Sequence, residues 1–494
     1  MATPLILALD LGTSSIRAGW FDLNGVRLAD SLVQATYPLH TDRAGKAELS
    51  AVDLLAGARQ VITGALSYRA GKRALASRPI AAVGMSCFWH SLVGCSDDGT
   101  ALTPVLTWAD SRAKDDAQRL RKELDEREVH SRTGCMLRVS FWPAKLRWLR
   151  RTQPAVFRSI AWFLSPADWL VGQLAGLPPE KLRTAHGMAT GTGCYDPGTR
   201  AWDPGMLEAC RLDRRTLLAI DDAGLRQSPM ALFPELADTA WFPGIGDGAA
   251  NNLGAGATAP GLAAINVGTS AAIRLLRRDD ARTRPLAPFG LFCYRVDAQR
   301  HLIGGAISNA GSLRAWCLQH LRLPDEAAIE AALADRPGPD HGLSVLPFWM
   351  AERAPTWRED LTGVIAGITQ STTAVDLLHA ITEAGYQRLA TIADLLPGRR
   401  PTAIVGGGIQ KSVASLQRLA DITGLRLVAC EEPETSLRGA AVCAIERLGA
   451  ADRISGIGGR TVDPRPALKL RYAAQRRQLA RLESTLFPEP AAAS

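Results

Sequence analysis

Residues 5–17, LILALDLGTSSIR, decide the fold of this 494-residue chain. An apolar run, the turn Gly12-Thr13-Ser14 and a second apolar segment form the pattern of a buried strand, a tight turn and an antiparallel return strand. Glycine allows close backbone approach, the two hydroxyl residues can donate hydrogen bonds, and such a turn presents N–H groups to an anion. Asp10, where the first strand ends, is placed to hold a metal ion directly or through water. An ordinary hairpin carries the same pattern, so this stretch alone leaves both interpretations open.

The same pattern returns about half a chain later. Residues 262–274, LAAINVGTSAAIR, again place an apolar run before Gly268-Thr269-Ser270, and both stretches close on an Ile-Arg pair, which ends at Arg17 in the first. Two strand–turn–strand units that open two halves indicate a duplicated architecture with a ligand held between the halves. A phosphate chain gripped by both turns is the natural ligand, and the long period excludes a solenoid.

The bulk composition is that of a globular protein, with 47% hydrophobic and 21% charged residues. No apolar run reaches the length of a membrane span and the N-terminus lacks a signal-peptide pattern, so we expect a cytoplasmic protein without membrane contact. Nine scattered cysteines without a CxxC pair predict buried reduced thiols rather than disulfides or a zinc site. The formal charge of +8 is dispersed without an aromatic-interleaved basic motif, which favours anionic small ligands and argues against nucleic-acid binding.

A cluster of aromatic and polar residues follows another predicted strand. The apolar run IAAVGMS ends shortly before Trp89-His90, and Trp108, Asp110 and Arg112 come next along the chain. Aromatic faces cover the C–H surface of a polyol, while His, Asp and Arg side chains hydrogen-bond hydroxyls or pair with a carboxylate. A histidine alone is more often a satisfied core residue, but the clustering with Asp110 and Arg112 favours a ligand role.

Asp247 lies between glycines in GIGDGAANN, just before the second turn. The backbone can bend tightly there, and a carboxylate in this position could take a proton from a hydroxyl that attacks phosphorus. A turn or N-cap aspartate is the general alternative for a Gly-Asp-Gly sequence. The position beside the second phosphate-type turn favours the catalytic interpretation.

The second half also carries the features expected of a nucleotide site. Gly311 belongs to a small-residue segment that precedes an amphipathic helix, and helix N-termini with small residues suit anion or nucleotide contacts. The run AIVGGGIQKS predicts a strand, a turn through Gly407 and Gly408, and a helix start at Ser412. Without side chains, such a turn lets an adenine ring or ribose lie on the backbone. A tight strand–helix turn with no ligand remains the alternative.

In this order, the motifs resemble the FGGY carbohydrate kinases, within the actin/hexokinase/heat-shock-chaperone ATPase superfamily. The resemblance runs from about Leu5 to Ile445, nearly the whole chain. It rests on an ordered series of short motifs: Asp10-x-Gly-Thr-Ser, Val83-Gly-Met-Ser, Trp108-x-Asp-x-Arg112, Lys145-Leu-x-Trp148, Gly246-Asp247, Gly268-Thr-Ser270, Glu352-Arg353-x-Pro355, Gly406-Gly-Gly408 and Gly439-Ala-Ala441.

The resemblance implies an α/β fold of two ribonuclease-H-like domains, each a mixed five-stranded sheet flanked by helices, which close over ATP–Mg²⁺ and a sugar in the cleft between them. We expect an N-terminal domain over 1–245, a C-terminal domain over 246–450 and a helical extension over 451–494. The family implies a role for each candidate residue. The catalytic base is Asp247 and the metal-associated residue Asp10; the ATP contacts are Gly12, Thr13, Ser14, Arg17, Gly268, Thr269, Gly311, Gly407, Gly408 and Ser412; the sugar contacts are Trp89, His90, Trp108, Asp110, Arg112 and Asp247.

The choice of substrate rests on the local sequence around Trp89-His90 and Trp108. Glycerol kinases usually carry Arg-Glu where this chain has Trp89-His90, which disfavours glycerol, and the text also departs from that typical of xylulokinases. His-Ser with Thr-Trp-Ala-Asp-x-Arg is closer to gluconate kinases, with Arg112 or His90 as the reader of the carboxylate. We therefore expect D-gluconate to 6-phosphogluconate, with a ketopentose or polyol kinase as the alternative. A catalytically silent sugar or nucleotide sensor on the same fold, and a homodimer, also stay open.

Overall fold

A computed structural model describes residues 3–225, 230, 232–280, 284–398 and 402–488. Two large mixed sheets organise the molecule. The strands of the first are β1 (Leu5–Leu11), β2 (Ser15–Phe21), β3 (Val33–Thr36), β4 (Ile80–Cys87), β5 (Ala240–Trp241) and β6 (Ile245–Gly246). The strands of the second are β7 (Leu262–Val267), β8 (Ala271–Arg278), β9 (Phe292–Arg295), β10 (Arg300–Ile307), β11 (Thr402–Gly406), β12 (Leu427–Cys430) and β13 (Gly459–Val462).

The two sheets repeat one topology. In the first, the order is β5-β4-β1-β2-β3; β1 and β2 are antiparallel, and β4 lies parallel to β1. In the second, the order is β9-β10-β8-β7-β11-β12-β13; β7 and β8 are antiparallel, and β11 lies parallel to β7. The duplication inferred from the two turn sequences is therefore present in the strand order.

Neither sheet has the five strands that we expected. The first has five positions, but the short strands β5 and β6 both pair with β4, which gives six strands. The second has seven, because β9 and β13 extend its two edges. The added strands have two to four residues, too short to show a periodic pattern in the sequence.

Helices cover both sheets. They are α1 (Ala51–Ala70), α2 (Arg73–Ala76), α3 (Lys114–Glu123), α4 (Glu126–Thr133), α5 (Trp142–Thr152), α6 (Pro154–Ser159), α7 (Pro166–Ala175), α8 (His186–Ala189), α9 (Pro204–Cys210), α10 (Asp247–Gly254), α11 (Gly311–His320), α12 (Glu326–Asp335), α13 (Ala374–Leu395), α14 (Val413–Thr423), α15 (Thr435–Arg447) and α16 (Pro466–Leu486). Within the described ranges, no helix combines the length and apolar character that a bilayer crossing requires.

Short strands outside the two sheets connect these elements. They are His40–Thr41, Ala47–Leu49, Val93–Cys95, Val105–Leu106, Trp162–Leu164, Arg183–Thr184, Tyr195–Asp196, Ala201–Trp202, Ala219–Ile220, Ser344–Leu346 and Val364–Ala366. All nine cysteines are buried as free thiols, in agreement with the prediction from their spacing.

Helices α10 and α15 cross at backbone contact. A Cβ built on Gly254 would lie 1.7 Å from the Thr435 carbonyl oxygen, so only glycine permits this approach. Helix α15 also packs on the first sheet, where a Cβ on Gly84 would lie 2.2 Å from the Ala440 carbonyl oxygen. The helix pair thus ties elements of the second half of the chain to the sheet of the first half.

The last helix, α16, joins the core of the second half. The Tyr472 side chain is fully buried, and its hydroxyl donates to Glu383 Oε1 on α13 at 2.8 Å. His341 Nε2 contacts the other oxygen of Glu383 at 3.0 Å. These buried contacts hold the C-terminal helix against α13.

Candidate active site

A cavity of about 300 Å³ lies between the two halves, and we call it the acceptor cavity. Residues from both turns and both sheets line it: Gly12, Thr13, Phe88, Trp89, His90, Trp108, Ser140, Phe141, Asp247, Asn266, Ser270, Ala271, Ala272, Arg274, Phe292, Tyr294, Ala306, Arg353 and Trp357. Its size is at the small end of the range for small-molecule sites. The structure therefore brings the predicted base, both turns and part of the predicted sugar cluster to one cavity.

The two turns are equivalent three-residue connections. Residues 12–14 join β1 to β2, and residues 268–270 join β7 to β8. In each, the glycine N–H donates back across the turn, from Gly12 to the Ser15 carbonyl and from Gly268 to the Ser270 carbonyl, both at 2.9 Å. Backbone and hydroxyl groups of the two turns thus face the same region from opposite halves.

Asp10 lies at the end of β1, beside the first turn. The pKa of Asp10 is raised to about 6, chiefly by burial; Ser86 and Arg17 oppose the rise, and the nearby carboxylates of Asp247 and Glu434 add to it. Arg17 Nη1 lies 3.4 Å from Asp10 Oδ2 and 3.6 Å from Glu434 Oε2. Arg17 therefore pairs with the acidic groups and does not line the acceptor cavity.

This setting fits a magnesium ion held through phosphates. Mg²⁺ is commonly bound by one or two carboxylates together with substrate phosphates and water. Among the described residues, no three metal-type side chains gather at one place, so a cage built from protein ligands alone is absent there. Asp10 beside a phosphate-type turn supplies the single carboxylate that such a site requires.

Asp247 is the first residue of α10 and faces the acceptor cavity. Its Oδ1 accepts a hydrogen bond from the Gly248 N–H at 2.8 Å. Burial raises the pKa of Asp247, and the positive charge of Arg274 partly offsets that rise. A Cβ on the preceding residue, Gly246, would lie 1.7 Å from Trp89 Cε2, so glycine allows the indole ring to lie against the backbone that carries the carboxylate.

His90 lines the cavity in the left-handed backbone region, at a φ of 66°. Its Nδ1 lies 2.6 Å from the Gly191 carbonyl oxygen, so Nδ1 is the donor and Nε2 is left as an acceptor. Lys145 Nζ fixes the backbone by donating to the His90 carbonyl at 2.8 Å. Burial lowers the pKa of His90 to about 3, so the ring is neutral and accepts from a hydroxyl.

Tryptophans form the apolar walls. Trp89 Nε1 donates to the Gly187 carbonyl at 2.7 Å, which fixes the indole, and its ring lies 5.0 Å from that of Tyr294. Trp108 remains 38% exposed at the mouth of the cavity. Such faces suit the C–H surface of a sugar.

Asp110 and Arg112 do not line the acceptor cavity, and their contact with the sugar stays a prediction. Arg112 Nη2 lies 2.6 Å from Asp110 Oδ2, also pairs with Glu48, and its guanidinium stacks 4.3 Å from the Trp148 ring centroid. Asp110 Oδ2 accepts from the Ala47 N–H at 3.1 Å. The charges of Asp110 and Arg112 are paired within the protein. Their proximity in the sequence therefore reflects a buried ion pair. A neutral His90 cannot replace Arg112 as the cation that reads a carboxylate.

Two arginines that our sequence reasoning did not assign line the cavity instead. Arg274 lies on β8, and Arg353 lies between the short strands Ser344–Leu346 and Val364–Ala366. Arg274 closes the repeated Ile-Arg pattern, and Arg353 belongs to the Glu-Arg-x-Pro motif. The period of a strand offered a signal, since Ser270, Ala272 and Arg274 alternate on one face.

A second cavity, of about 490 Å³, lies on the second half, and we call it the nucleotide cavity. Gly268, Thr269, Gly311, Gly408 and Ser412 all line it. The same turn, residues 268–270, therefore contributes to both cavities, because Ser270 lines the first and Gly268 and Thr269 line the second.

The predicted nucleotide residues also have structural tasks. The Gly311 N–H donates to the Gly268 carbonyl at 3.0 Å, and Ser412 Oγ donates to Glu330 Oε2 at 2.6 Å. Gly407 has a φ of 90° and lies behind the cavity wall, where a Cβ would come within 2.5 Å of the Val267 carbonyl oxygen. The glycine turn thus brings Gly408 to the cavity surface.

Comparisons with known proteins match both halves of the chain. The models of the N-terminal and C-terminal domains of the FGGY family of carbohydrate kinases match residues 5–227 and 263–446. The chain is 26% identical to a gluconokinase of Bacillus subtilis (strain 168), over 92% of this chain and 90% of that protein. It is 29% identical to a glycerol kinase of Rhizorhabdus wittichii, over 90% of this chain and 88% of the other.

Solved structures show the same fold. A gluconate kinase from Lactobacillus acidophilus superposes with a TM-score of 0.89 at 25% identity, covering 99% of each chain. A xylulose kinase from the same organism also gives a TM-score of 0.89 at 25% identity, covering 98% of this chain and 99% of that one. The two-domain architecture with a cleft between sheets of actin-like ATPase topology is therefore common to these chains.

Proposed function

The chain belongs to the FGGY family of carbohydrate kinases, and from that premise we propose that it transfers the γ-phosphoryl group of ATP to D-gluconate, giving 6-phosphogluconate. The family makes the protein an ATP-dependent phosphotransferase that acts on a sugar. The observation that carries the proposal is the turn at residues 268–270, which lies between the nucleotide cavity and the cavity that contains Asp247. A phosphoryl group passing that turn would meet a hydroxyl beside the carboxylate.

In this proposal, Asp247 accepts the proton of the attacking terminal hydroxyl. The transfer forms the bond between that oxygen and phosphorus and breaks the bond to the leaving oxygen of ADP. The raised pKa of Asp247 suits a base, because proton affinity increases with the pKa. His90 Nε2 accepts a hydrogen bond from a second hydroxyl and orients the substrate.

The turns supply backbone and hydroxyl donors to the phosphate chain, and Asp10 would hold Mg²⁺. Donors fixed before the reaction stabilise the charge that develops on the transferring group without reorganisation. Mg²⁺ bound there would neutralise phosphate charge. The walls formed by Trp89 and Phe141 exclude water, which otherwise competes with the sugar as acceptor.

The choice of gluconate as the substrate rests on the local sequence and on the comparisons. The text around His90 and Trp108 and the likeness to gluconate kinases favour gluconate. The equal TM-score of a xylulose kinase keeps a ketopentose as the second candidate. The Trp89-His90 pair, where glycerol kinases usually carry Arg-Glu, disfavours glycerol.

A coupled ADP-release assay with Mg-ATP tests the proposal. The acceptors are D-gluconate, D-xylulose, D-ribulose, L-ribulose, glycerol and erythritol. Turnover with gluconate alone supports the full proposal. Turnover with a ketopentose instead keeps the kinase mechanism and replaces the substrate. Absence of turnover on all six, with ATP still bound, favours the catalytically silent sensor.

A further inference from the structure

The acceptor cavity contains two guanidinium groups without carboxylate partners. Arg274 Nε and Nη1 and Arg353 Nε are buried and form no hydrogen bond with the part of the chain that the structure describes. Neither side chain lies within ion-pairing distance of a carboxylate in those same ranges, although Arg353 Nη2 donates to the Ile307 carbonyl at 3.0 Å. Both side chains line the acceptor cavity.

Other buried arginines of this protein hold several acceptors each. Arg438 donates to the carbonyls of Gly25, Gly254 and Ser455 at 2.8–2.9 Å. Arg300 holds both Asp297 and Glu446. Arg418 Nη1 also lacks an acceptor, but Arg418 Nε lies 3.3 Å from Glu383 Oε1 and Nη2 donates to the Leu333 carbonyl at 3.0 Å. Buried donors without acceptors are costly, so folded proteins rarely keep them unless a ligand supplies the acceptor. Arg274 and Arg353 differ from Arg418 because their unsatisfied nitrogens belong to side chains that line a cavity.

The charges in the cavity point to an anion. Arg274 and Arg353 contribute two positive charges, His90 is neutral, and Asp247 is the one carboxylate that lines the cavity in the described chain. The two cations repel each other: the pKa of Arg353 is lowered to about 10, chiefly by burial and next by the positive charge of Arg274. One monovalent anion between them would leave the site neutral overall.

The positions of the cations separate two tasks. Arg274 on β8 and Arg353, whose guanidinium lies 5.9 Å from the Trp108 ring centroid, belong to the wall formed by the second half of the chain. Trp89 and His90 belong to the wall formed by the first half. An acyclic sugar acid can place its carboxylate against the two arginines and its hydroxyls against the wall with Trp89 and His90. A planar guanidinium suits a carboxylate through paired N–H donors.

We propose that Arg274 and Arg353 together bind the carboxylate of an aldonic acid and make the enzyme select acidic over neutral acceptors. This inference rests on the proposed kinase function and deepens it. It assigns to these two residues the task that our sequence reasoning gave to Arg112 or His90.

The test compares D-gluconate with D-glucitol, which has the same carbon chain with a hydroxymethyl group in place of the carboxylate. The variants are Arg274→Met and Arg353→Met. The matched control is Arg277→Met, since Arg277 lies on the same strand but is exposed to solvent. The coupled assay measures kcat/KM for both acceptors, and calorimetry measures the equilibrium binding of gluconate to each full-length protein.

We expect each cavity variant to lower kcat/KM for gluconate about 10- to 100-fold, as for loss of a charge-assisted hydrogen-bond pair. The value for glucitol should fall less than the value for gluconate when both are measured at the same pH, because glucitol has no carboxylate for the two guanidinium groups to bind. Gluconate binding should weaken by a similar factor in both cavity variants and remain unchanged in Arg277→Met. Arg274→Lys should recover part of the loss if charge is what matters.

Three outcomes overturn the inference, and they differ from failure of the proposed function. An equal loss with gluconate and glucitol would place the arginines in phosphoryl transfer rather than in acid recognition. Turnover of a neutral sugar in preference to gluconate would keep the kinase and refute acid selection. Unchanged gluconate binding in both cavity variants would also refute it, and this readout stands even if no acceptor yields ADP. A variant that loses its cooperative thermal transition is replaced by its Lys counterpart.

Discussion

Gly439 of α15 rests directly on the backbone of Ala250 in α10: a Cβ built on the glycine would lie 1.8 Å from the Ala250 carbonyl oxygen. Helix α10 begins with Asp247, and α15 follows strand β12 of the second sheet. The contact therefore connects the helix that carries the proposed base with the second sheet. A displacement of either helix would move the carboxylate relative to the turns.

Gly439→Ala should damage both stability and turnover. The methyl group must displace α10, since the obstacle is backbone rather than a flexible side chain. We expect a loss of about 1–3 kcal/mol in the free energy of unfolding, as for other insertions into packed sites. Gly456→Ala is the control, because nothing lies within 4 Å of a Cβ there. Denaturant unfolding and the ADP-release assay measure the two effects; equal behaviour of both variants would contradict the contact's importance.

Asp247→Asn should abolish most turnover without affecting ATP binding. The amide is close in size but cannot accept the hydroxyl proton, so we expect kcat to fall about 10²- to 10⁴-fold. Asp213→Asn makes the same chemical change at an exposed ion pair with Arg215 and should leave kcat unchanged. Steady-state kinetics and nucleotide binding by calorimetry check both variants. Turnover near the wild-type rate in Asp247→Asn would remove the residue from the role of base.

The pH profile of kcat/KM should reveal the environment of Asp247. A base must be ionised, so the rate falls as pH drops through its pKa, and burial places that midpoint above the range of an ordinary aspartate. Arg274 opposes the shift by its positive charge. Arg274→Met should therefore move the acidic limb to higher pH, measured with a neutral acceptor to avoid effects on acid binding. A midpoint that stays in place or falls would show that the charge of Arg274 does not lower the pKa of Asp247.

His90→Asn should weaken substrate binding while preserving the local backbone. Asparagine tolerates the left-handed conformation that His90 adopts, but its shorter side chain withdraws the acceptor at Nε2. We expect KM for the sugar to rise about three- to tenfold, the worth of one neutral hydrogen bond. Wild-type KM should show no histidine titration near neutral pH, because burial lowers the pKa of His90 to about 3. The exposed His40→Asn is the control.

Arg112→Gln should lower stability and spare the kinetics. The change leaves the buried Asp110 carboxylate without its guanidinium, and breaking such a pair costs about 3 kcal/mol. Because neither residue lines the acceptor cavity, KM and the preference for acids should not change. Arg215→Gln breaks an exposed pair with Asp213 and should cost less than about 1 kcal/mol. A selective rise of KM for gluconate in Arg112→Gln would restore its predicted role.

Local sequence patterns predicted the central strands of both sheets. The two strand–turn–strand stretches form β1–β2 and β7–β8, because an apolar run bounded by a glycine turn leaves few alternatives once buried. The strand before Trp89 and the glycine turn at Gly408 also lie where the sequence indicated. The edge strands β9 and β13 were missed, because four residues carry no usable period.

The site was harder to predict, because side-chain partners decide it. In sequence, Arg112 stands two residues from Asp110 and close to His90, yet its guanidinium turns to Asp110 and Glu48. Arg274 and Arg353 are far apart in the chain, and they meet because β8 pairs with β10, whose last residue, Ile307, accepts a hydrogen bond from Arg353. Whether an arginine has a carboxylate partner is a property of tertiary structure, which local pattern does not encode.

The turn at residues 268–270 has a consequence for inhibitor chemistry. Since Ser270 borders one cavity while Gly268 and Thr269 border the other, the two ligands approach a common backbone segment from separate entrances. A single compound that joins a sugar acid to adenosine through a phosphate linker would occupy both cavities by passing one short turn. Tethering raises the local concentration of each half for its own cavity, so such a bisubstrate compound should bind far more tightly than either half alone. The linker length that gives the tightest binding would then measure the distance that the phosphoryl group travels.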